Sequence, residues 1–425
     1  MPGYRSPLDA YRDDLARAHG KKRLAAGDEF WIILSTGLRR LSQAPTRSRA
    51  PAARRLASAI HALATGFSDA PSAQLAATPP ARADDSGRPA AVAAALARYG
   101  DEAYVGAIVT QVRGAAADAE EAGAVVLARE MLTDLSALTP HATPLDRGMV
   151  LIQLGRIART LGNLDSAFDL VTAAGDIGRS AGVRELEVRE SAAKAILART
   201  RGNYPEARRL FETALEGATD LGLADVTGGV HQGLMIVTAE AGDFDTALFH
   251  GWQALSVART EAARAAEVLG NLAQLCAKAG YDAAALGGFT AALARANAPR
   301  LRLPYLAGIV RSAARLGDVE RVGAAERLIA AEANDAFPFE TAGAWFAVAR
   351  ARRALGDASA GDAAARRAST IAHVHGFYEI AHRLETEIPI ARAPLAPGGM
   401  GVIRSLEAWT DSPPQEPSVF STAKG

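Results

Sequence analysis

An all-α fold is predicted, a right-handed solenoid of about seven helix pairs behind a helical N-terminal cap. Three observations carry this. A glycine recurs at Gly123, Gly162, Gly202, Gly242, Gly280, Gly317 and Gly356, at spacings of 39, 40, 40, 38, 37 and 39 residues. Mostly small residues stand at fixed offsets from each glycine. Seven before it is Ala116, Gly155, Ala195, Met235, Ala273, Val310 or Ala349, and five after it is Ala128, Ala167, Ala207, Ala247, Ala285, Val322 or Gly361. Alanine, leucine, arginine and glutamate dominate, while only 6% of residues are aromatic, which favours helix over sheet. A glycine turn flanked by short side chains is what two closely packed antiparallel helices need, because backbones approach only where side chains are small.

The order of elements follows from the same signals. Leu8–Arg23, Gly27–Ser42 and Pro51–Thr65 each read as a helix, and the second carries Phe30, Trp31, Ile33, Leu34, Leu38 and Leu41. Residues 1–70 form an irregular helical cap, which a solenoid needs over its apolar end. Residues 71–89, rich in proline, are read as a linker, and Ala90–Ala107 leads into an array over 90–388. Residues 389–425, with Gly398, Gly399, Pro413 and Pro414, are expected to be a flexible tail. Gly182, Gly222 and Gly376 stand twenty residues after their repeat glycines and are expected to cap the second helices.

Several copies carry a recognisable pattern. Leu151, Leu154 and Gly155 precede Gly162-Asn163-Leu164, Ala167 and Ala174; Gly202-Asn203-Tyr204-Pro205-Glu206-Ala207 leads to Phe211 and Ala214; Gly242-Asp243-Phe244 leads to Ala247 and Ala254. These residues resemble the tetratricopeptide repeat (TPR) family over about Ala107 to Glu387. The period near 39 exceeds the family's usual 34, and the proline that often ends the second helix is missing. The last two copies are degenerate, with Glu326, Gly361 and Ala365 where bulk is expected, so a HEAT-like solenoid stays open as an alternative. The resemblance implies a binding fold rather than an activity. The long period is also similar to the TPR regions of bacterial signal-responsive transcription regulators.

Composition narrows the function. Lys+Arg and Asp+Glu balance at 47 each, so no global field draws the molecule onto nucleic acid or an anionic membrane. Residues 1–70 hold 12 Lys/Arg against 6 Asp/Glu, but no helix-turn-helix is legible there, and nucleic acid is not the expected partner. The single Cys276, within a helix, reads as a packed thiol. No phosphate-binding glycine loop or nucleophile elbow is present, and no cofactor or metal is expected. His375, Glu379 and His382 would share a face if one helix carried all three, and a solvated polar face is the preferred reading. Met1–Arg23 does not read as a secretory signal, and no apolar run is long enough for membrane insertion, so a cytoplasmic protein is expected.

The candidate site is the inner face that the resemblance assigns to the first helix of each pair. Six residues before the repeat glycines stand Arg156, Ile196, Ile236, Gln274, Arg311 and Arg350; three before, Arg159, Arg199, Ala239, Ala277, Ala314 and Arg353; two before, Lys278 and Arg315. The array, counted over 108–387, holds 29 Lys/Arg against 34 Asp/Glu, yet these offsets are basic, opposed by Glu240. Guanidinium forks suit carboxylates. The expected function is therefore a non-catalytic scaffold or adaptor that binds a protein or an acidic peptide. A ligand- or peptide-sensing component of a bacterial transcription-regulatory system is the alternative.

Overall fold

A computed structural model describes residues 28–65, 87–258, 261–296, 299–333, 337–386, 403–404 and 406–407. The expected helix Leu8–Arg23, nearly all of the expected linker and most of the expected tail lie outside these residues. The chain divides into two compact units at residues 197 and 198.

The first unit opens with α1 (Asp28–Gln43), α2 (Thr46–Thr65) and α3 (Arg88–Ala97). Helix α1 buries Ile33, Leu34, Leu38 and Leu41 among Leu56 and Ile60 of α2 and Met131, Leu132 and Leu135 of α5 (Val125–Leu138). Each such side chain contributes about 1.5–3 kcal/mol, so the cap is joined to the first repeat by a shared core. Helix α2 begins before the expected Pro51, which lies inside it. The Arg49 guanidinium holds that early turn by donating to the carbonyls of Ala44 (3.0 Å) and Ser42 (3.1 Å). The entry Ala90–Ala107 is not one helix. Gly100 has φ +104°, the Asp101 carboxylate caps the Ala103 N–H at 3.1 Å, and α4 (Val105–Glu121) starts afterwards. A glycine–aspartate pair supplies both the left-handed residue and the cap that such a break requires.

The repeats continue with α6 (Pro144–Thr160), α7 (Leu164–Ala181) and α8 (Arg184–Thr200), in which the unit boundary falls. The second unit contains α9 (Tyr204–Asp220), α10 (Ala224–Glu240), α11 (Phe244–Ala258), α12 (Ala262–Ala279), α13 (Asp282–Leu293), α14 (Pro299–Arg315), α15 (Val319–Glu332), α16 (Pro338–Ala354), α17 (Ala358–His375) and α18 (Tyr378–Thr386). No strand occurs among the described residues. All seven repeat glycines have positive φ, from 75° to 88°, at the turn between first and second helices. At Gly162 the chain closes as expected for a left-handed cap: Gly162 N–H donates to the Arg159 carbonyl at 3.0 Å and Asn163 N–H to that of Ala158 at 2.9 Å. The next residue then caps the second helix. Asn163, Asn203, Asp243, Asp318 and Asp357 each accept from the backbone N–H three residues on, at 2.9–3.3 Å. Such a cap is worth about 1 kcal/mol. Gly182, Gly222 and Gly376 also have positive φ and end the second helices where expected.

The small-residue rows mark where paired helices touch. A Cβ added to Gly155 would lie 2.8 Å from Val171 Cγ2 and 3.2 Å from the Ala167 carbonyl oxygen. One added to Gly361 would meet Arg353 Cγ at 2.6 Å and the Ala349 carbonyl at 3.1 Å. Gly361 is thus a close-packing position in a pair whose partner is alanine, and the apparent degeneracy of the last copy is a contact solution of its own. In the tail, Ile403 and Leu406 are completely buried in the second unit's core. The looseness expected after residue 389 does not hold there, because two apolar residues three apart give that stretch a hydrophobic face.

Candidate binding surface

In the first unit, α4 and α6 carry four polar groups on one side. Arg113 Nε donates to Gln153 Oε1 at 3.2 Å, and Gln153 Nε2 returns a bond to the Arg113 carbonyl at 3.1 Å. Arg156 Nη2 lies 2.8 Å from Glu120 Oε2. Burial lowers the pKa of Arg113, and burial followed by the charge of Arg156 lowers that of Arg159. Arg156 and Arg159 are therefore brought together, but the first of them is already neutralised. Its acid occupies the offset three before Gly123, one repeat earlier than the arginine rows were read. Arg113 and Gln153, nine to ten residues before their glycines, were not among the predicted site residues.

In the second unit the predicted cations divide sharply. Lys278 Nζ contacts Glu240 Oε1 at 2.7 Å. Arg315 Nη1 bonds Asp282 Oδ1 at 3.0 Å and the Ala277 carbonyl at 3.2 Å. Arg353 reaches the second helix of its own pair, where Nη2 lies 2.8 Å from Asp362 Oδ1. Gln274 is exposed, and Arg199 is half-buried in the last turn of α8. Arg311 and Arg350 form no ion pair with any described residue. The Arg350 guanidinium lies 5.8 Å from the Phe346 ring centroid, and the Arg383 guanidinium, from α18, lies 4.9 Å from the same ring. Burial, then the charges of Arg315, Arg383 and Arg350, pushes the Arg311 pKa down to about 10. Arg383 could not be found from repeat offsets, since it lies beyond the last repeat.

Two further polar features belong to this unit. His231 on α10 and His250 on α11 place their Nδ1 atoms 3.0 Å apart, so one ring donates to the other. Burial is the main cause that lowers both pKa values, with His231 reaching about 4. A cavity of about 480 Å³ lies between α16 and α17, lined by Pro338, Thr341, Trp345, Ile371 and Val374, with Arg367 4.4 Å above the Trp345 ring.

Cys276 is fully buried and its pKa rises to about 12 through burial, which makes it a packed thiol. His375 ends α17 and stacks on Phe377 with centroids 5.6 Å apart, while Gly376 turns the chain, so His375 does not share a helix with Glu379 and His382. No cluster of three or more metal-ligating His, Cys, Asp or Glu occurs among the described residues. No helix among them is long and apolar enough to cross a membrane.

Comparison with known proteins bears on the fold. No protein-family model matches the sequence, and no curated protein does. Among solved structures, the chain is similar to a signal transduction ATPase (STAND) with a tetratricopeptide repeat sensor from Pyrococcus horikoshii. The TM-score is 0.52 and the identity 14%, over 89% of this chain and 57% of that one. It is also similar to a Rap protein complexed with competence and sporulation factor, at TM-score 0.50 and 12% identity, over 84% of this chain and 99% of that one. The fold is of the tetratricopeptide-repeat type. In this TPR array the glycine turn, the Asn/Asp cap and the small-residue rows are the repeat, and the polar positions on its first helices are what differ from copy to copy.

Proposed function

We propose that this TPR array is a non-catalytic protein- or peptide-binding scaffold whose partner lies against the first helices of its repeats. The observation that carries the reading is Arg311 with Arg350. Two cations at the same offset in successive repeats form no ion pair with any described residue, whereas Arg156, Lys278, Arg315 and Arg353 each do. Unpaired guanidinium donors are costly unless a ligand uses them. The groove cations that do have partners, Arg156, Lys278 and Arg315, can exchange them for an acidic side chain of a bound partner at little net cost. Arg159, Arg199, Gln274 and Arg353 complete the proposed contact set. The sensing alternative, a peptide-responsive part of a bacterial regulatory system, draws support from the neighbour whose repeats form a sensor and from the neighbour that holds a competence and sporulation factor.

Charge reversal tests the reading once a partner has been captured with the full chain. Lys278→Glu and Arg156→Glu should each weaken binding by about 1–3 kcal/mol. Arg208→Glu and Arg366→Glu, on the second helices α9 and α17, should change it little. Added salt should weaken the wild type more than the inner-face variants, which retain fewer attractive charges to screen. Equal effects from inner and outer reversals would remove the inner face from the mechanism.

A further inference from the structure

We infer that Arg350 and Arg383, which share the ring of Phe346, form with Arg311 of the adjoining helix α14 a pocket for a phosphoryl group carried on a side chain of the bound peptide. The inference rests on the peptide-binding reading above and specifies the chemistry of one part of that surface. It starts from the separate origins of the three guanidiniums, on α14, α16 and α18. Arg350 and Arg383 are both held over the π-face of Phe346, a ring only 8% exposed, rather than by carboxylates. A ring that attracts a guanidinium through its face leaves the N–H donors at the edge free. Arg383 has one acid, Glu379, at 3.6 Å, but both side chains are well exposed and the contact is too long for a hydrogen bond. Arg315 stands beside the group with its charge taken up by Asp282.

Charge and donor count then select the ligand. Among the described residues Arg311 and Arg350 form no ion pair, and Arg383 is only loosely engaged. A phosphoryl group carries about −1.5 to −2 charge near neutral pH and three acceptor oxygens, matching both the charge and the three forks. A carboxylate, with one charge and two oxygens, would leave a fork without a partner. A polyanionic backbone fits poorly for a different reason. The surrounding array has five more acids than bases over residues 108–387 and repels extended negative charge, whereas a single phosphorylated side chain presents its charge only at the pocket.

The test uses the full chain and a short glycine–alanine peptide bearing one central phosphoserine, with serine and glutamate versions and inorganic phosphate as further probes. Calorimetry should show the phosphopeptide binding at least tenfold more tightly than the other two peptides. Arg311→Gln and Arg350→Gln should each reduce that affinity by about tenfold, and Arg350→Lys, which keeps charge but loses the fork, by less. Arg208→Gln serves as the surface control. Equal binding of phosphoserine and serine peptides, or full binding by both glutamine variants, would overturn the pocket. A glutamate peptide that matched the phosphopeptide would overturn the dianion, and inorganic phosphate displacing the peptide at equal concentration would overturn the peptide-borne source. The underlying reading fails separately. Partner binding that survives both glutamine variants but is lost in Lys278→Glu keeps the scaffold and discards the pocket.

Discussion

Replacing Arg311 with glutamine should make the free protein more stable, although it removes a large polar side chain from a half-buried position. The reasoning is electrostatic. In the folded chain Arg311 has no acid partner among the described residues, and burial, then the charges of Arg315, Arg383 and Arg350, pushes its pKa down from the ordinary guanidinium range to about 10. At about 1.4 kcal/mol per unit, that shift sets a ceiling of about 3.4 kcal/mol on the cost of keeping the charge at pH 7. The guanidinium still reaches water, which reduces the net gain on removal to about 1–2 kcal/mol. Glutamine keeps part of the apolar stem, so lost packing should take back only a fraction of this. For a unit of this size about 1 kcal/mol corresponds to about 2–4 °C in melting temperature, so a rise of about 2–8 °C is expected. The folded pKa lies below the unfolded one, so the unfolded chain holds the extra proton from about pH 10 up to the ordinary guanidinium range. The penalty is therefore constant below pH 10 and is relieved as pH rises through that window. Thermal unfolding followed by circular dichroism at pH 7 reads the effect directly, and added salt should shrink it because like charges are being screened. A variant that melts at or below the wild-type temperature, with Arg311→Lys behaving the same way, would show that the guanidinium is compensated and that the reasoning is wrong.

Three other outcomes follow from the packing and the polar groups. Gly155→Ala forces a methyl group to 2.8 Å from Val171 Cγ2 and should cost about 1–3 kcal/mol by chemical denaturation, while Asp169→Ala, at an exposed position, should cost little. Because burial holds His231 near pKa 4 against 6.5 unfolded, stability should be complete above pH 6.5 and fall as pH drops towards 4, by about 1–2 kcal/mol; His231→Asn should flatten that part of the profile. Glu190 is 5% exposed and bonded to Arg179 at 2.6 Å and Lys194 at 2.7 Å, so Glu190→Ala should destabilise by about 3 kcal/mol, whereas Glu212→Ala, from an exposed pair, should be nearly neutral in the same melts.

The repeat was legible because its causes are local. A positive-φ turn demands glycine, the following cap demands Asn or Asp, and close helix approach demands small residues, so each requirement leaves a mark at a fixed offset. The boundaries that sequence reasoning missed depend on longer-range support. The early turn of α2 is held by Arg49 against the preceding loop, and Ile403 and Leu406 are fixed by a core that lies far from them in sequence. The basic offsets identified the cations but not their state. Whether a cation is free depends on side chains one repeat away, such as Glu120, Glu240 and Asp282 at the start of α13. Arg383 and Phe346 follow no repeat rule at all, since one lies beyond the last pair and the other reads as ordinary core. Their conjunction exists only once α14, α16 and α18 are packed.

Site-specific photo-crosslinking tests the central claim most directly. A benzophenone side chain placed at the exposed Gln274 on α12, six residues before its repeat glycine, samples the proposed partner face; the same group at Glu212 on α9 samples a second helix. With the full chain and its captured partner, the account predicts a strong crosslink from Gln274 and little from Glu212. Efficient crosslinking from Glu212 with none from Gln274 would contradict it, placing the partner on the second helices and leaving the first-helix cations as surface charge.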